Sequence, residues 1–275
     1  MKTHPIFQQH PLNGTAQIST GAVPTPYHIY SGYGAFMGGT ADLAAVKQLL
    51  APEQVQPFQT SGGRALMGIW VCDFTEASLG PHHELQFSIF VTRQPVTPAT
   101  DYPLNLLTVM LTRPEVQMLC HGLWNNTETV AAYNRELLSL NARLTKSRIE
   151  KSAGQMAFNF AAADGAPIFS GQLAQPDRAS FWATMALGQQ VGFGRAQKMN
   201  QQPWVSMSVV NPLGVKLAHN GVAQAFTKND VNAVRYFDAK RDAVKFAAGP
   251  YAALGFTPLF IQFMTGFKFV YLNPQ

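Results

Sequence analysis

Charged residues are scarce in this chain of 275 residues: Asp, Glu, Lys and Arg together make up 13%, about half of the roughly 25% common in globular domains. A surface so short of charge is covered by neutral polar groups or by other subunits. The formal net charge of +5 is thinly spread as well. Its densest group, Arg143, Lys146, Arg148 and Lys151 with Glu150 among them, has no interleaved aromatic residues, so no nucleic-acid partner is expected. The two cysteines, Cys72 and Cys120, are too few for a disulfide scaffold. Both lie in apolar runs, and buried thiols in a reducing, cytoplasmic compartment are the expectation. No apolar run reaches the ~18 residues of a membrane helix; the closest, residues 249–270, is interrupted by Thr, Pro, Gln and Lys. The opening MKTHPIFQQHPLNG has no apolar stretch behind Lys2, so neither a secretory leader nor a membrane partner is expected. No internal repeat and no composition break marks a linker.

What is present is apolar material, 47% of the residues, enough for one sizeable core. Residues 1–26, rich in Pro, Gln and Thr and without period, read as an extended arm, and residues 27–275 as a single domain. Residues 27–39 suit a strand and turn. Thr40 is the expected cap of an amphipathic helix over 41–50, stopped by Pro52. Residues 64–74 read as a buried strand. In the strand expected over 79–92, Glu84, Gln86, Ser88 and Phe90 share one face, while Leu85, Phe87, Ile89 and Val91 share the other. The run LNLLTVMLTR within 94–117 reads as an insertion near a pocket mouth.

A strand over 118–124 then leads to a helix over 128–138, capped by Asn126 or Thr127, with Glu128 favouring its dipole. Two strands flank Asp164-Gly165 as a hairpin. Residues 181–190 have no clear period, and Gly192-Phe193-Gly194-Arg195 lacks the spacing of a phosphate loop and reads as a turn. Further on, 204–210 and 222–226 suit strands around a turn at Asn211-Pro212-Leu213-Gly214. The mixed charges of 232–246 suit a helix, and two aromatic-rich strands close the chain over 250–271. The class is α+β, mostly β: a curved, mostly antiparallel sheet with a few peripheral helices.

The run Asn134-Arg135-Glu136-Leu137, followed by Leu140-Asn141-Ala142-Arg143-Leu144, resembles the signature of the acetoacetate decarboxylase family. There a Gly-Arg-Glu-aliphatic run leads into Pro-Lys-Lys-Leu, and the first of those lysines forms the Schiff base with the keto acid. Here Asn141, Ala142 and Arg143 hold the matching positions, so the nucleophile is missing. Where the family carries Asn-Arg-Glu, with an arginine facing the substrate carboxylate, this chain has Ser31-Gly32-Tyr33. Of two family glutamates fifteen residues apart, the first falls on Ile69 and the second matches Glu84. The resemblance spans residues 25–272. It implies a β-cone barrel with peripheral helices, a homo-oligomer and a small-molecule substrate.

An imine mechanism needs a lysine that is neutral at working pH. Ala142 cannot attack a carbonyl and Arg143 stays charged; Lys146, four residues on, would be displaced from the near-attack geometry. Glu84 is therefore the candidate for surviving chemistry, as a carboxyl whose pKa burial would raise into the range of general acid or base work. Alternation places His82 with Glu84 on the inner face, as a proton shuttle, and His83 outside. A metal site of His82, His83 and Glu84 is disfavoured because adjacent strand residues point to opposite faces. His121, Arg135 and Arg143 are the candidate substrate-binding residues, the arginines for an oxyanion or carboxylate. A structural ion pair of Arg135 with Glu136 is the plainer reading of that dipeptide. No cofactor and no metal is expected. The reaction expected is imine-free acid-base chemistry, a cyclisation, dehydration or lyase reaction on a keto or polyketide-like molecule. The alternatives are a decarboxylase or aldolase with a relocated lysine and a non-catalytic binder of an apolar ligand.

Overall fold

The computed structural model describes residues 4–175, 180–192, 205–210 and 222–272. The turns expected at 192–195 and 211–214, and Trp204, lie wholly or partly outside them.

The centre of the fold is a run of antiparallel neighbours: β3 (Tyr27–Asp42), β5 (Arg64–Ala77), β6 (His82–Thr92) and β7 (Gln117–Asn125). The short β4 (Gln56–Pro57) pairs with the end of β6. Beyond β3 lie β16 (Lys268–Tyr271) and β15 (Thr257–Thr265), with β12 (Val222–Lys228) beside β16, β11 (Val205–Val210) beside β12 and β13 (Val231–Tyr236) beside β15. The sheet curves so far that β11 pairs in parallel with β7, which brings the path from β6 through β5, β3, β16, β12 and β11 round to β6's own neighbour. A wing of β8 (Ala142–Ser152), β9 (Gln155–Ala162), β10 (Pro167–Ala174) and β14 (Ala243–Phe246) leaves β7 through a parallel pairing of β8. Among the described residues free edges remain at β4, β13 and β14, and the sheet is curved and mixed, with most of its pairs antiparallel.

The wing explains why β6 is apolar on its outward face. Leu85, Phe87, Ile89 and Val91 pack with Met156, Phe158, Phe160, Phe169 and Leu173 of the wing, so neither face of β6 meets bulk water. The alternation expected for this strand places Glu84, Gln86 and Phe90 on the concave side, as the lining of a cavity. Three helices close that cavity. Helix α4 (Glu128–Glu136) buries Val130, Ala131, Ala132 and Tyr133 at the inner end, where Tyr133 meets the ring of Tyr27 at 5.4 Å. Helices α3 (Asn105–Thr112) and α5 (Phe181–Val191) lie across the mouth, giving Leu107 and Met110, and Leu187 and Val191, to its lining. The expected insertion over 94–117 thus contains α3.

Several local expectations are corrected. Within the arm expected over 1–26, the described residues 4–26 carry structure of their own: α1 (Pro5–Gln9) buries Ile6 and Phe7 against Tyr30 and Val270, and β1 (Gly14–Ile18) pairs with β2 (Gly21–Thr25) as a hairpin that buries Ile18 and Val23. Thr40 and Ala41 belong to β3, and α2 (Leu43–Leu49) is capped by Asp42, whose carboxylate accepts from the Ala45 N–H at 2.8 Å. Thr127 occupies the cap position of α4 without a side-chain bond, and Asn126 instead accepts from the His83 N–H at 2.7 Å. The helix expected over 232–246 is two strands, β13 and β14. Their mixed charges are used across the fold: the Arg235 guanidinium donates to both oxygens of the buried Asp242 carboxylate, each at 2.6 Å.

Close packing at β3 depends on missing side chains. A Cβ on Gly39 would stand 2.1 Å from the Thr257 carbonyl oxygen of β15, a backbone atom that cannot swing aside. Gly39→Ala is expected to cost about 1–3 kcal/mol of stability, seen as a lower urea midpoint at unchanged slope; an unchanged midpoint would mean the two strands are not held this close.

Candidate active site

The cavity has a volume of about 620 Å³, within the range of small-molecule sites. Its wall is mostly apolar: Ile29, Phe74, Phe90, Met118, Leu123, Met264 and Phe267 all face it. Glu84 is half-buried, and it lines this cavity. Burial pushes its carboxyl up to about 7, and one hydrogen bond, from Asn125 Nδ2 to Oε2 at 3.1 Å, opposes that rise. Asn125 is fully buried and stands directly across the β6–β7 ladder from Glu84. Its own oxygen accepts from Asn134 Nδ2 at 2.9 Å, so α4 fixes the rotamer that presents the N–H to the carboxylate. The neighbours of Glu84 stay neutral: burial raises the thiols of Cys72 and Cys120 and the phenols of Tyr27 and Tyr271. A carboxyl near 7 among neutral groups is half-ionised at neutral pH and can both take and return a proton.

His82 is placed differently from expectation. It does not line the cavity but lies behind Tyr27, which does. Its Nδ1 stands 2.9 Å from the Gly80 carbonyl oxygen and its Nε2 stands 2.6 Å from the Tyr27 hydroxyl. A carbonyl only accepts, so Nδ1 carries the proton and Tyr27 donates to Nε2. Burial holds His82 down to about 4, and the neutral ring orients Tyr27. His83 lies on the opposite face, with Nδ1 2.9 Å from Ser147 Oγ.

The three expected substrate-binding residues are not brought together with Glu84. His121 is the extra residue in β7, where Phe87 pairs with Gly122 and Ser88 with Cys120. This bulge breaks the alternation, and His121 sits on the convex side, its Nδ1 2.9 Å from the Tyr251 hydroxyl, with burial holding it down to about 4. Arg143 is exposed on that same side, its guanidinium 5.8 Å from the centre of the Trp124 ring. Arg135 is exposed on α4 and donates to the Ala142 carbonyl at 3.4 Å. Glu136 makes no ion pair with it; its carboxylate takes the Ser19 N–H at 2.9 Å and the Ser19 hydroxyl at 2.5 Å, tying α4 to the turn of the β1–β2 hairpin. Ala142, which the sequence resemblance sets against the family lysine, is buried in the apolar cluster around the cavity with Leu123 and Leu140. Lys146 is exposed on β8.

Sequence reasoning missed Asn125, Asn134, Tyr27, Trp70 and Tyr271. Alternation alone would have offered none of them, since Asn125 is identified by strand register and Asn134 by where α4 docks. Among the described residues no group of three His, Cys, Asp or Glu side chains is arranged to hold a metal ion, and no helix is long and apolar enough to cross a membrane.

No protein-family model matches this chain, and no curated protein sequence does. Solved structures do match. The acetoacetate decarboxylase of Legionella pneumophila subsp. pneumophila str. Philadelphia 1 superposes with a TM-score of 0.59 at 10% identity, covering 91% of this chain and 86% of that one. The fold is that of the acetoacetate decarboxylases. A second acetoacetate decarboxylase structure has a TM-score of 0.54 at 11% identity, over 90% of this chain and 87% of its own. The enduracididine biosynthesis enzyme MppR, solved with pyruvate, shares the acetoacetate decarboxylase-like fold with a TM-score of 0.51 at 9% identity, over 90% and 87% of the two chains.

The raised carboxyl has a consequence for stability. Glu84 in the folded protein keeps its proton to about pH 7, whereas the unfolded chain releases it near the ordinary 4.5. Its contribution is therefore full below pH 4.5, declines as pH rises towards 7 and levels off above it. Relative to Glu84→Gln, the wild type is expected to lose up to about 3 kcal/mol between pH 4.5 and 8, at ~1.4 kcal/mol per pH unit. Denaturant unfolding of both proteins across that range checks the slope; parallel curves would place Glu84 in water.

Proposed function

We propose that the protein is an enzyme in which Glu84 moves a proton to or from a keto or polyketide-like small molecule, without an imine, in a lyase, dehydration or cyclisation reaction. The observation that carries this reading is the Glu84 carboxyl at the apolar wall of the cavity, brought near neutrality by burial and bonded to a single donor, Asn125. A carboxylate so placed takes a proton from the carbon beside a carbonyl, and the C–H electron pair passes into the enolate. Returned to oxygen, the same proton gives the enol; if the carboxyl first trades that proton for a solvent deuteron, delivery of the deuteron to carbon gives exchange. Tyr27 gives its one hydroxyl proton to His82, so at the cavity wall its oxygen is available to a ligand as an acceptor. The enzymatic names of the fold relatives accord with this. With Ala142 in the lysine position, an imine has no nucleophile there. We further propose a homo-oligomer acting in the cytoplasm, in specialised metabolism.

A second reading, an imine at a relocated lysine, has one observation behind it: Lys228 lines the cavity, whereas the expected substitute, Lys146, does not.

Proton exchange at carbon tests the preferred reading without knowledge of the natural substrate. With 2-tetralone in D₂O, followed by NMR, the wild type is expected to exchange the α-protons faster than buffer. Glu84→Gln, with unchanged circular dichroism, is expected to lose about 10²–10⁴-fold. Unchanged exchange in the variant would refute the role of Glu84. Borohydride treatment with pyruvate, followed by mass mapping, is expected to modify no lysine; modification of Lys228 would favour the second reading.

A further inference from the structure

The chemical class of the ligand can be read from the charges that line the cavity. Among the described residues three charged side chains do so: Glu84, Arg113 and Lys228. Arg113 is already engaged, its Nε with the Glu115 carboxylate and its Nη2 with the Thr97 carbonyl at 3.2 Å. Lys228 ends β12, beside Asn229 and Asn232, whose mutual hydrogen bond is exposed. That places it at the rim. At the inner end Glu84 has Cys72 as its cross-strand neighbour and Asn125 as its donor, and burial with that one bond accounts for its protonation; no cation contributes. Nor is there room for an arginine from β3. A Cβ on Gly32 would stand 2.7 Å from the Asp73 carbonyl oxygen, and Tyr33 packs on the convex side.

A carboxylate brought to the inner end of this cavity would leave water for an apolar wall without meeting a cation among the described residues there, at a cost of several kcal/mol. Beside ionised Glu84 it would also meet a like charge. An uncharged oxygen is treated differently. The protonated carboxyl of Glu84 can donate to it, and two further lining residues, Trp70 and Tyr271, carry a buried indole N–H and a buried hydroxyl without partners among the described residues. A buried donor left without a partner costs about 1–3 kcal/mol, which a ligand oxygen would relieve.

From these observations we infer that the cavity takes an uncharged, predominantly apolar carbonyl compound bearing no carboxylate, with its oxygen at the Glu84 end. The inference rests on reading this cavity as the active site, and it departs from the acids after which two of the fold relatives are named or with which one was solved.

A matched pair of probes decides it. Binding of 2-acetylnaphthalene and of 2-naphthoate to the full chain is followed at pH 7.5 by quenching of tryptophan fluorescence, Trp70 being in the cavity wall. The ketone is expected to bind at least tenfold more tightly than the carboxylate, and a Leu123→Trp variant, which fills the wall, is expected to weaken ketone binding at least tenfold. Naphthoate binding as tightly as the ketone, no binding of either, or ketone binding indifferent to Leu123→Trp would overturn the inference. Because Glu84→Gln retains a hydrogen-bonding amide, it is expected to keep the preference for the ketone within a few-fold while losing proton exchange. Loss of exchange without selectivity would sink the ligand class alone, and selectivity with intact exchange in the variant would sink the role of Glu84 alone.

Discussion

The constraint on which this molecule turns is the desolvation of one carboxyl. Glu84 faces an apolar cavity, receives one N–H from Asn125 and has no cation beside it among the described residues, so its two protonation states are nearly balanced at neutral pH. Much of the architecture serves that condition. The wing of β8, β9, β10 and β14 covers the convex face of β6 with phenylalanine side chains, and α4 seals the inner end while it supplies Asn134 to hold Asn125. Were either cover removed, water would reach the strand and the carboxyl would return towards its ordinary range.

The same scaffold, in the decarboxylases it resembles, is expected to carry a lysine and an arginine for a keto acid. By the sequence resemblance those positions would fall on Ala142 and the Ser31-Gly32-Tyr33 run. Among the described residues Glu84 is the charged side chain at the inner end of the cavity, beside the neutral Tyr27 and Asn134. Ala142 is now part of the apolar packing with Leu123 and Leu140, and Gly32 permits the close approach of Asp73 and Phe74 of β5.

How much of this was legible in the sequence depends on the range of the interaction involved. The period-2 pattern of β6 correctly put Glu84 and Gln86 on one face and Leu85 and Phe87 on the other, because alternation is local. The family-like run around Arg135 correctly pointed to the fold, although its charged residues serve structure: Glu136 holds Ser19, and Arg135 meets the Ala142 carbonyl. His121 was misplaced because a bulge, set by pairing with β6, turns it to the convex side. His82 shares the parity of Glu84, yet its ring is taken up by Tyr27 and Gly80, partners that no spacing rule brings together. Residues 232–246 looked helical because their charges are mixed and breakers are few, whereas Arg235 and Asp242 among them form a buried pair linking β13 to the loop before β14. Helix α5 carries no clear stripe, since Phe181 and Trp182 on it are exposed.

The central claim concerns a proton, and infrared difference spectroscopy observes it directly. With the Glu84→Gln protein as the blank, the wild type is predicted to show a carboxylic-acid C=O stretch that persists through weakly acidic pH and gives way to carboxylate bands around pH 7. A Glu84 signal that is already carboxylate at pH 5.5 would contradict the account.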